Sequence, residues 1–225
     1  MKERFLFDYL ISSLSSDMRS SHLHVPKFAV HRQPSDIWEQ MIFCILSSQF
    51  SALRAATISS GLLREVPFFD FLLRLQKIEE ACFRFLSRPG VGYRFPKSRA
   101  LQISLCWFPF AQIMDEYQEY ICSFASERQA REQITERFPG IGLKQASMFL
   151  RNTGAARNLA IIDAHMLSYL RIYHGWNVGQ LTPKRYLQAE DILRNDAAHH
   201  GLELNTFDTI VWSAARALKK ASLHV

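Results

Sequence analysis

The most informative stretch of this chain is residues 138–146, Phe-Pro-Gly-Ile-Gly-Leu-Lys-Gln-Ala. Its two glycines, Gly140 and Gly142, allow the backbone to turn tightly and let another molecule approach bare N–H groups. An amphipathic run continues to Leu150, which predicts that the turn opens a helix. Because N–H groups at a helix N-terminus favour an anion, we expect Gly140 and Gly142 to contact a phosphate group.

Lys144 lies in the first turn of this predicted helix, at the positive end of the helix dipole, where an acidic side chain would be favoured. A residue that contradicts the local preference points to a functional role. The amine of such a lysine can act as a nucleophile that attacks carbon. Its candidate partner is Asp163, which follows Ile161 and Ile162 and precedes a predicted helix. Asp is also a preferred N-cap residue, and the two roles can coexist.

At these residues the chain resembles the helix-hairpin-helix DNA glycosylases, in particular their bifunctional glycosylase/lyase branch with a lysine and an aspartate. The resemblance is stronger to the short, second type of 8-oxoguanine DNA glycosylase found in archaea and some bacteria. Three segments carry it: 142–152 (GLKQASMFLRN), 43–52 (FCILSSQFSA) and 92–100, which contains Gly-Tyr-Arg-Phe followed by Lys97 and Arg99-Ala100. The similar region extends over at least residues 38–213.

The resemblance implies an all-α, two-lobed fold, with a cleft between the lobes and the hairpin and its aspartate at the mouth. By this analogy, residues 34–135 form a central helical lobe. Residues 1–33 and 136–225 together form the helix-hairpin-helix lobe. The implied activity is excision of 8-oxoguanine from double-stranded DNA, with Lys144 forming an imine and β-elimination then cutting the strand.

The resemblance also assigns roles to individual residues. Lys144 and Asp163 would be catalytic, Gln49 would reach into the DNA near the extruded base, and Trp212 would stack on that base. Arg94, Lys97 and Arg151 are candidates for phosphate contacts, with His165 a packed, phosphate-facing or proton-transferring histidine. For Gln49 and Trp212, alternatives without a role in DNA binding remain open. A glutamine that ends a helix is ordinarily exposed to solvent, and a tryptophan on an apolar stripe ordinarily belongs to the core.

The chain departs from the family pattern after Trp212. The related short glycosylases continue with an acidic-Thr-Gly segment and end on a lysine whose terminal carboxylate reads the base. Here residues 214–220 read Ala-Ala-Arg-Ala-Leu-Lys-Lys, and five more residues follow. Two alternatives to 8-oxoguanine excision therefore arise: a glycosylase/lyase for another modified base, or a non-catalytic DNA-binding protein that retained the hairpin.

The net charge of +6 and the pI near 9.3 suit a polyanion such as DNA, although an ordinary basic cytosolic protein would also have them. The chain has no apolar run long enough to cross a membrane, and its first residues lack the apolar segment of a secretory signal. We therefore expect a monomeric, cytoplasmic, nucleoid-associated protein without a membrane partner.

The four cysteines form no Cys-x-x-Cys motif, and none follows Cys122. Iron–sulfur clusters and structural zinc sites need closely spaced cysteines, so we expect reduced thiols and no metal site. No redox or organic cofactor is required by the implied chemistry. The one cofactor that remains open is a monovalent cation on the carbonyls of the hairpin.

Apolar residues at helical spacing predict eleven helices and no convincing strand. Ser35 is expected to cap the second helix, and Thr182 with Pro183 to open the tenth. The predicted helices span about 3–14, 35–46, 51–64, 68–86, 96–108, 111–123, 126–137, 143–152, 163–173, 183–199 and 205–220.

Overall fold

The computed structural model describes residues 2–20, 33–48, 50–73, 75–177 and 179–222. All regular secondary structure in these ranges is helical, so the predicted all-α class is confirmed. The helices are α1 (Lys2–Ser20), α2 (Pro34–Leu46), α3 (Ala52–Glu65), α4 (Phe68–Leu73), α5 (Leu75–Leu86), α6 (Pro96–Ala111), α7 (Tyr117–Cys122), α8 (Glu127–Arg137), α9 (Leu143–Thr153), α10 (Ala164–His174), α11 (Pro183–His199) and α12 (Leu204–Ser222).

Most predicted helices agree with these bounds. Helix α1 extends to Ser20 rather than ending at residue 14, and the segment predicted as one helix over 68–86 contains α4 and α5. The helix predicted over 111–123 is shorter, because residues 112–116 form turns and only Tyr117–Cys122 is helical. The predicted cap at Ser35 is wrong: Pro34 takes the first helical position of α2, so Gln33 is the N-cap. At α11 the expectation is confirmed, since the Thr182 side chain accepts a hydrogen bond from the Arg185 N–H.

The chain forms two compact units. The central unit is Val30–Ala155, and the terminal unit combines Met1–Ala29 with Ala156–Val225. This division differs from the predicted one, in which residues 136–155 joined the terminal segments. The reason is tertiary packing, because α9 packs against both α2 and α8 and thereby stays with the central helices.

The core of the central unit is an aromatic cluster around α2. The Trp38 ring lies 5.0 Å from the rings of both Trp107 and Phe110 and 5.3 Å from that of Phe71, centroid to centroid. Large aromatic side chains bury the most apolar area per residue, so this cluster contributes much of the unit's stability. Helix α2 also contacts α3, α6 and α9. It therefore helps to hold α9, the helix that follows the glycine turn, in place.

The terminal unit is assembled around α12, which packs against α1, α10 and α11. Its core includes Phe207, Ile210 and Val211 on α12, all fully buried or nearly so. The ring of Phe7 on α1 lies 5.9 Å from the rings of Tyr169 and Tyr173 on α10, which attaches the N-terminal helix to this unit.

Candidate active site

The stretch 138–142 connects α8 to α9 as a tight hairpin. Phe138 and Ile141 are buried, and the Ile141 N–H donates to the Phe138 carbonyl at 3.1 Å. Pro139, Gly140 and Gly142 are exposed, so the two apolar residues anchor the turn while the glycine backbone faces solvent. Gly140 has φ +74°, a conformation that side chains with a Cβ rarely adopt.

Gln102, a buried residue on α6, supports this hairpin through a hydrogen bond. The Gln102 amide donates to the Pro139 carbonyl at 3.2 Å and receives a hydrogen bond from Arg99. A Cβ at Gly140 would lie only 2.8 Å from the Gln102 Nε2 atom, so a side chain here would displace the Gln102 amide in addition to being strained at positive φ. Sequence reasoning missed Gln102, because nothing local to the hairpin indicates which distant amide supports it.

Helix α9 starts at Gly142, which has no side chain to cap it. The Gln145 Oε1 atom instead accepts from the Gly142 N–H at 3.2 Å, and its Nε2 atom donates to the Cys44 carbonyl at 3.1 Å. A phosphate that bound the Gly142 N–H would therefore have to replace the Gln145 side chain as its acceptor. The N–H groups of Leu143 and Lys144 are among the first-turn donors that an α-helix cannot satisfy internally.

Lys144 is the second residue of α9 and is half-buried. Burial raises the pKa of the Cys44 thiol on α2, and the positive charge of Lys144 lowers it by a smaller amount. The Lys144 ammonium group therefore lies close enough to Cys44 to act on it electrostatically.

The buried contact between α8 and α9 is unusual in containing an arginine. Arg131 and Ser147 are both fully buried, and Arg131 Nη1 donates to the Ser147 hydroxyl at 3.1 Å. A buried guanidinium stabilises a structure only where its donors find acceptors. This contact thus fixes how the two helices of the hairpin pack.

The predicted phosphate-binding side chains of the central unit lie in different settings. Arg94 and Lys97 are exposed, and the Arg94 guanidinium lies 5.1 Å from the Phe95 ring centroid. Arg151 is half-buried in the last turn of α9, where a basic residue complements the helix dipole. Gln49, predicted to reach into DNA, lies outside the described residues.

Asp163 belongs to the terminal unit and is the N-cap of α10. Its Oδ1 atom accepts hydrogen bonds from the N–H groups of His165 at 2.8 Å and Met166 at 3.1 Å. The capping role foreseen from the sequence is confirmed. Both bonds use the same oxygen, and the cap holds the carboxylate in place.

Trp212 and His165 come together in the terminal unit. The His165 ring meets the Trp212 ring edge-on, with centroids 6.2 Å apart, and both side chains are half-buried. Trp212 is therefore not fully buried, and its stacking on an extruded base stays a prediction. Arg216, one turn later on α12, places its guanidinium 4.5 Å from the Trp212 centroid. The i, i+4 spacing of Trp212 and Arg216 was the available signal for this contact.

An all-helical chain with a Pro-Gly-x-Gly hairpin, a lysine in the first turn after it and an aspartate capping the next helix defines the class of helix-hairpin-helix DNA glycosylases. Within that class, residues 23–202 match the family model of 8-oxoguanine DNA glycosylase (Ogg-HhH). The chain belongs to this family.

Named relatives agree with this assignment. The chain is 30% identical over 191 residues to an 8-oxoguanine DNA glycosylase/AP lyase of Korarchaeum cryptofilum, covering 83% of each sequence. It is 31% identical over 177 residues to the protein of that name from Methanocaldococcus jannaschii, covering 78% of each.

Solved structures show the same fold. The crystal structure of the M. jannaschii 8-oxoguanine DNA glycosylase matches with a TM-score of 0.70 at 27% identity, covering 91% of this chain and 92% of that one. A second structure of the M. jannaschii enzyme, in complex with a 15mer DNA containing 8-oxoguanine, matches with a TM-score of 0.62 at 26% identity, covering 91% and 88%. The predicted helix-hairpin-helix glycosylase fold is thereby confirmed.

Two further findings concern the described part of the chain alone. Its His, Cys, Asp and Glu residues form no group of three or more that could hold a metal ion. None of its helices has the length and hydrophobicity that crossing a membrane requires.

Proposed function

We propose that this protein is an 8-oxoguanine DNA glycosylase with AP lyase activity, acting on double-stranded DNA. The observation that carries the proposal is the half-buried Lys144 in the first turn of α9, directly after the exposed glycine hairpin, in a chain of this family. A cation is disfavoured at that end of a helix, so a half-buried lysine directly after the hairpin supports a functional role.

A base within a duplex is out of reach of a side chain, so the enzyme must first extrude it, at a cost of a few kcal/mol in stacking and pairing. The exposed backbone at Gly140 and Gly142 and the side chains of Arg94, Lys97 and Arg151 hold the phosphates of the distorted strand. Gln49 and His165 complete this DNA-binding set. The phosphate contacts give affinity without reading the sequence.

The unprotonated amine of Lys144 attacks C1′ of the extruded nucleotide. A C1′–N bond to the lysine forms as the glycosidic bond breaks, and the base leaves with that electron pair and takes up a proton. Asp163 stabilises the positive charge that develops on the sugar and helps to move protons. The adduct loses a proton and opens the sugar ring, giving an imine.

The imine makes the C2′ proton acidic. Removal of this proton and departure of the 3′ phosphate cut the strand by β-elimination, so one lysine serves both the glycosylase and the lyase step. These steps transfer no electrons to or from a cofactor. A monovalent cation on the hairpin carbonyls would support phosphate binding only.

The base pocket includes Trp212, whose half-exposed ring can stack on the extruded base. Guanine and 8-oxoguanine differ by an N7–H donor and an O8 acceptor, so discrimination needs an acceptor at N7. A missing partner there would cost about 1–3 kcal/mol. The residues after Trp212 depart from the family pattern, so we propose that a backbone carbonyl or another side chain supplies this acceptor. We further propose a monomeric, cytoplasmic, nucleoid-associated enzyme.

Borohydride reduction of the imine tests the chemistry. Wild-type protein should cross-link to a duplex containing 8-oxoguanine, and Lys144→Gln should bind the same duplex without cross-linking. Lys184 is a matched control, because it is also the second residue of its helix, α11, and is exposed. Lys184→Gln should cross-link at the wild-type rate. Wild-type cross-linking by Lys144→Gln would show that Lys144 is not the nucleophile.

The substrate is tested by single-turnover cleavage of otherwise identical duplexes carrying 8-oxoguanine, guanine, uracil or an abasic site. We expect cleavage at 8-oxoguanine and at the abasic site only. Activity confined to abasic DNA, or equal for all bases, would overturn the assignment to 8-oxoguanine while leaving the lysine chemistry intact. Binding without any cleavage would indicate a DNA-binding protein that has lost catalysis.

A further inference from the structure

Residues 160–162 lead directly into Asp163 and belong to no helix. Ala160 is fully buried and Ile162 is 2% exposed. Buried backbone outside regular structure must find hydrogen-bond partners, because an unpaired N–H or carbonyl group away from water is costly. The partners of this segment are side chains of α11 and α12.

Two of these partners are buried carboxylates. Glu190 on α11 is fully buried and accepts from the Ala160 N–H at 3.0 Å. Asp208 on α12 is 5% exposed and accepts from the Ile161 N–H at 2.8 Å. Burying a carboxylate is unfavourable unless it is hydrogen-bonded, so each residue is held in a geometry that these backbone groups satisfy.

The third partner, Tyr186, makes two hydrogen bonds through one hydroxyl group. The hydroxyl donates to the Ala160 carbonyl at 2.8 Å and accepts from the Ile162 N–H at 3.3 Å. Tyr186 is 3% exposed and lies one turn before Glu190, so both project from the same face of α11. Three consecutive N–H groups are thus fixed immediately before Asp163.

We infer that Tyr186, together with Glu190 and Asp208, is a positioning residue for the Asp163 carboxylate. The backbone is held before Asp163 by these side chains, and the carboxylate is held after it by the first N–H groups of α10. Tyr186 touches the backbone rather than DNA, so it acts through Asp163. This inference rests on the proposed function, in which Asp163 stabilises charge on the sugar.

Tyr186→Phe is the test, because it removes one oxygen and leaves the ring. The rate of base excision at saturating enzyme should fall about 10- to 100-fold, the loss expected from a small misplacement of a catalytic group, with unchanged affinity for the 8-oxoguanine duplex. Tyr169→Phe is the matched control in the same unit. Tyr169 is also 3% exposed. Its hydroxyl donates at 2.9 Å to Asp196, which is remote in sequence from residues 160–163. It should lower the melting temperature without slowing excision.

A double-mutant cycle separates positioning from a general structural role. In the Asp163→Asn background, Tyr186→Phe should cause no further loss of rate, because the group it positions is already absent. Fully additive losses, an unchanged rate in Tyr186→Phe, or an equal loss in Tyr169→Phe would each overturn the inference. If Tyr186→Phe does not fold, Asp208→Ala, which removes the acceptor of the Ile161 N–H, replaces it in the same cycle, with the same expectation.

The outcome also distinguishes this inference from the proposed function. A wild-type protein that excises no 8-oxoguanine, or an Asp163→Asn variant as fast as wild type, would remove the role of Asp163 and the inference with it. Loss of excision in Asp163→Asn with full activity in Tyr186→Phe would overturn the inference alone.

Discussion

At the scale of single residues, Trp212 differs from two other tryptophans of the chain in its exposure. Trp38 and Trp107 are essentially fully buried and pack against other rings. Trp212 is half-buried, with His165 at one edge and the Arg216 guanidinium over its ring. The same kind of aromatic face stacks on a guanidinium and on a planar base.

Replacing Trp212 with Ala should weaken binding of the 8-oxoguanine duplex by about 1–3 kcal/mol, the value of one base stacked on an aromatic ring. Affinity for an abasic duplex should change little, because no base is present to stack. Fluorescence anisotropy with both duplexes measures the difference. Trp176→Ala, at another half-buried tryptophan of the same unit, is the control and should affect both duplexes equally. Equal losses on both duplexes in Trp212→Ala would contradict a base-stacking role.

At the scale of elements, the hairpin between α8 and α9 uses its two glycines for different purposes. Gly140 needs its positive φ and its lack of a Cβ, since the Gln102 amide lies against it. Gly142 has φ −93°, and an added Cβ would meet nothing within 4 Å. The first glycine is therefore a structural requirement of the turn, whereas the second position has space for a side chain.

Gly140→Ala should destabilise the protein by more than about 1 kcal/mol, because it combines strain at positive φ with a steric contact to Gln102. Gly142→Ala, two residues away in the same turn, is the matched control and should change stability by only a few tenths of a kcal/mol, either way. Urea unfolding of both variants measures the free energies. A loss at Gly142→Ala as large as that at Gly140→Ala would show that the turn, rather than the Gly140 position, is sensitive.

At the scale of the whole molecule, the excess of positive charge should strengthen the affinity for DNA. The net charge is +6, and Arg94 and Lys97 are among the exposed basic residues. Binding to a polyanion releases counterions, so a large part of the affinity should depend on salt rather than on base sequence.

The logarithm of the association constant for duplex DNA should fall linearly with the logarithm of salt concentration, by about 0.9 for each phosphate neutralised. Lys97→Ala should reduce this slope by about one unit, because it removes one phosphate contact. Lys184→Ala, which also removes one exposed positive charge, should leave the slope unchanged. An affinity independent of salt would favour a protein partner over DNA.

The hairpin, Lys144 and the capping role of Asp163 follow from the amino-acid sequence alone. Helix starts are determined within about one turn by caps, glycines and the helix dipole. The structure at residues 138–146 and at Asp163 can therefore be predicted from the neighbouring sequence. The helical pattern likewise predicts most of the twelve helices in the described ranges, because apolar periodicity is a local property. The cap at Ser35 failed for a local reason as well, since Pro34 takes the first helical position.

Only the tertiary structure determined what holds these elements in place. Gln102 supports a carbonyl 37 positions away, and Tyr186, Glu190 and Asp208 reach backbone groups between 24 and 47 positions away. The division into units depends in the same way on α9 packing against α2. Such partners cannot be predicted from one sequence, because the hydrogen-bonding need of a buried backbone group is local, whereas the side chain that meets it can come from any element that packing brings close.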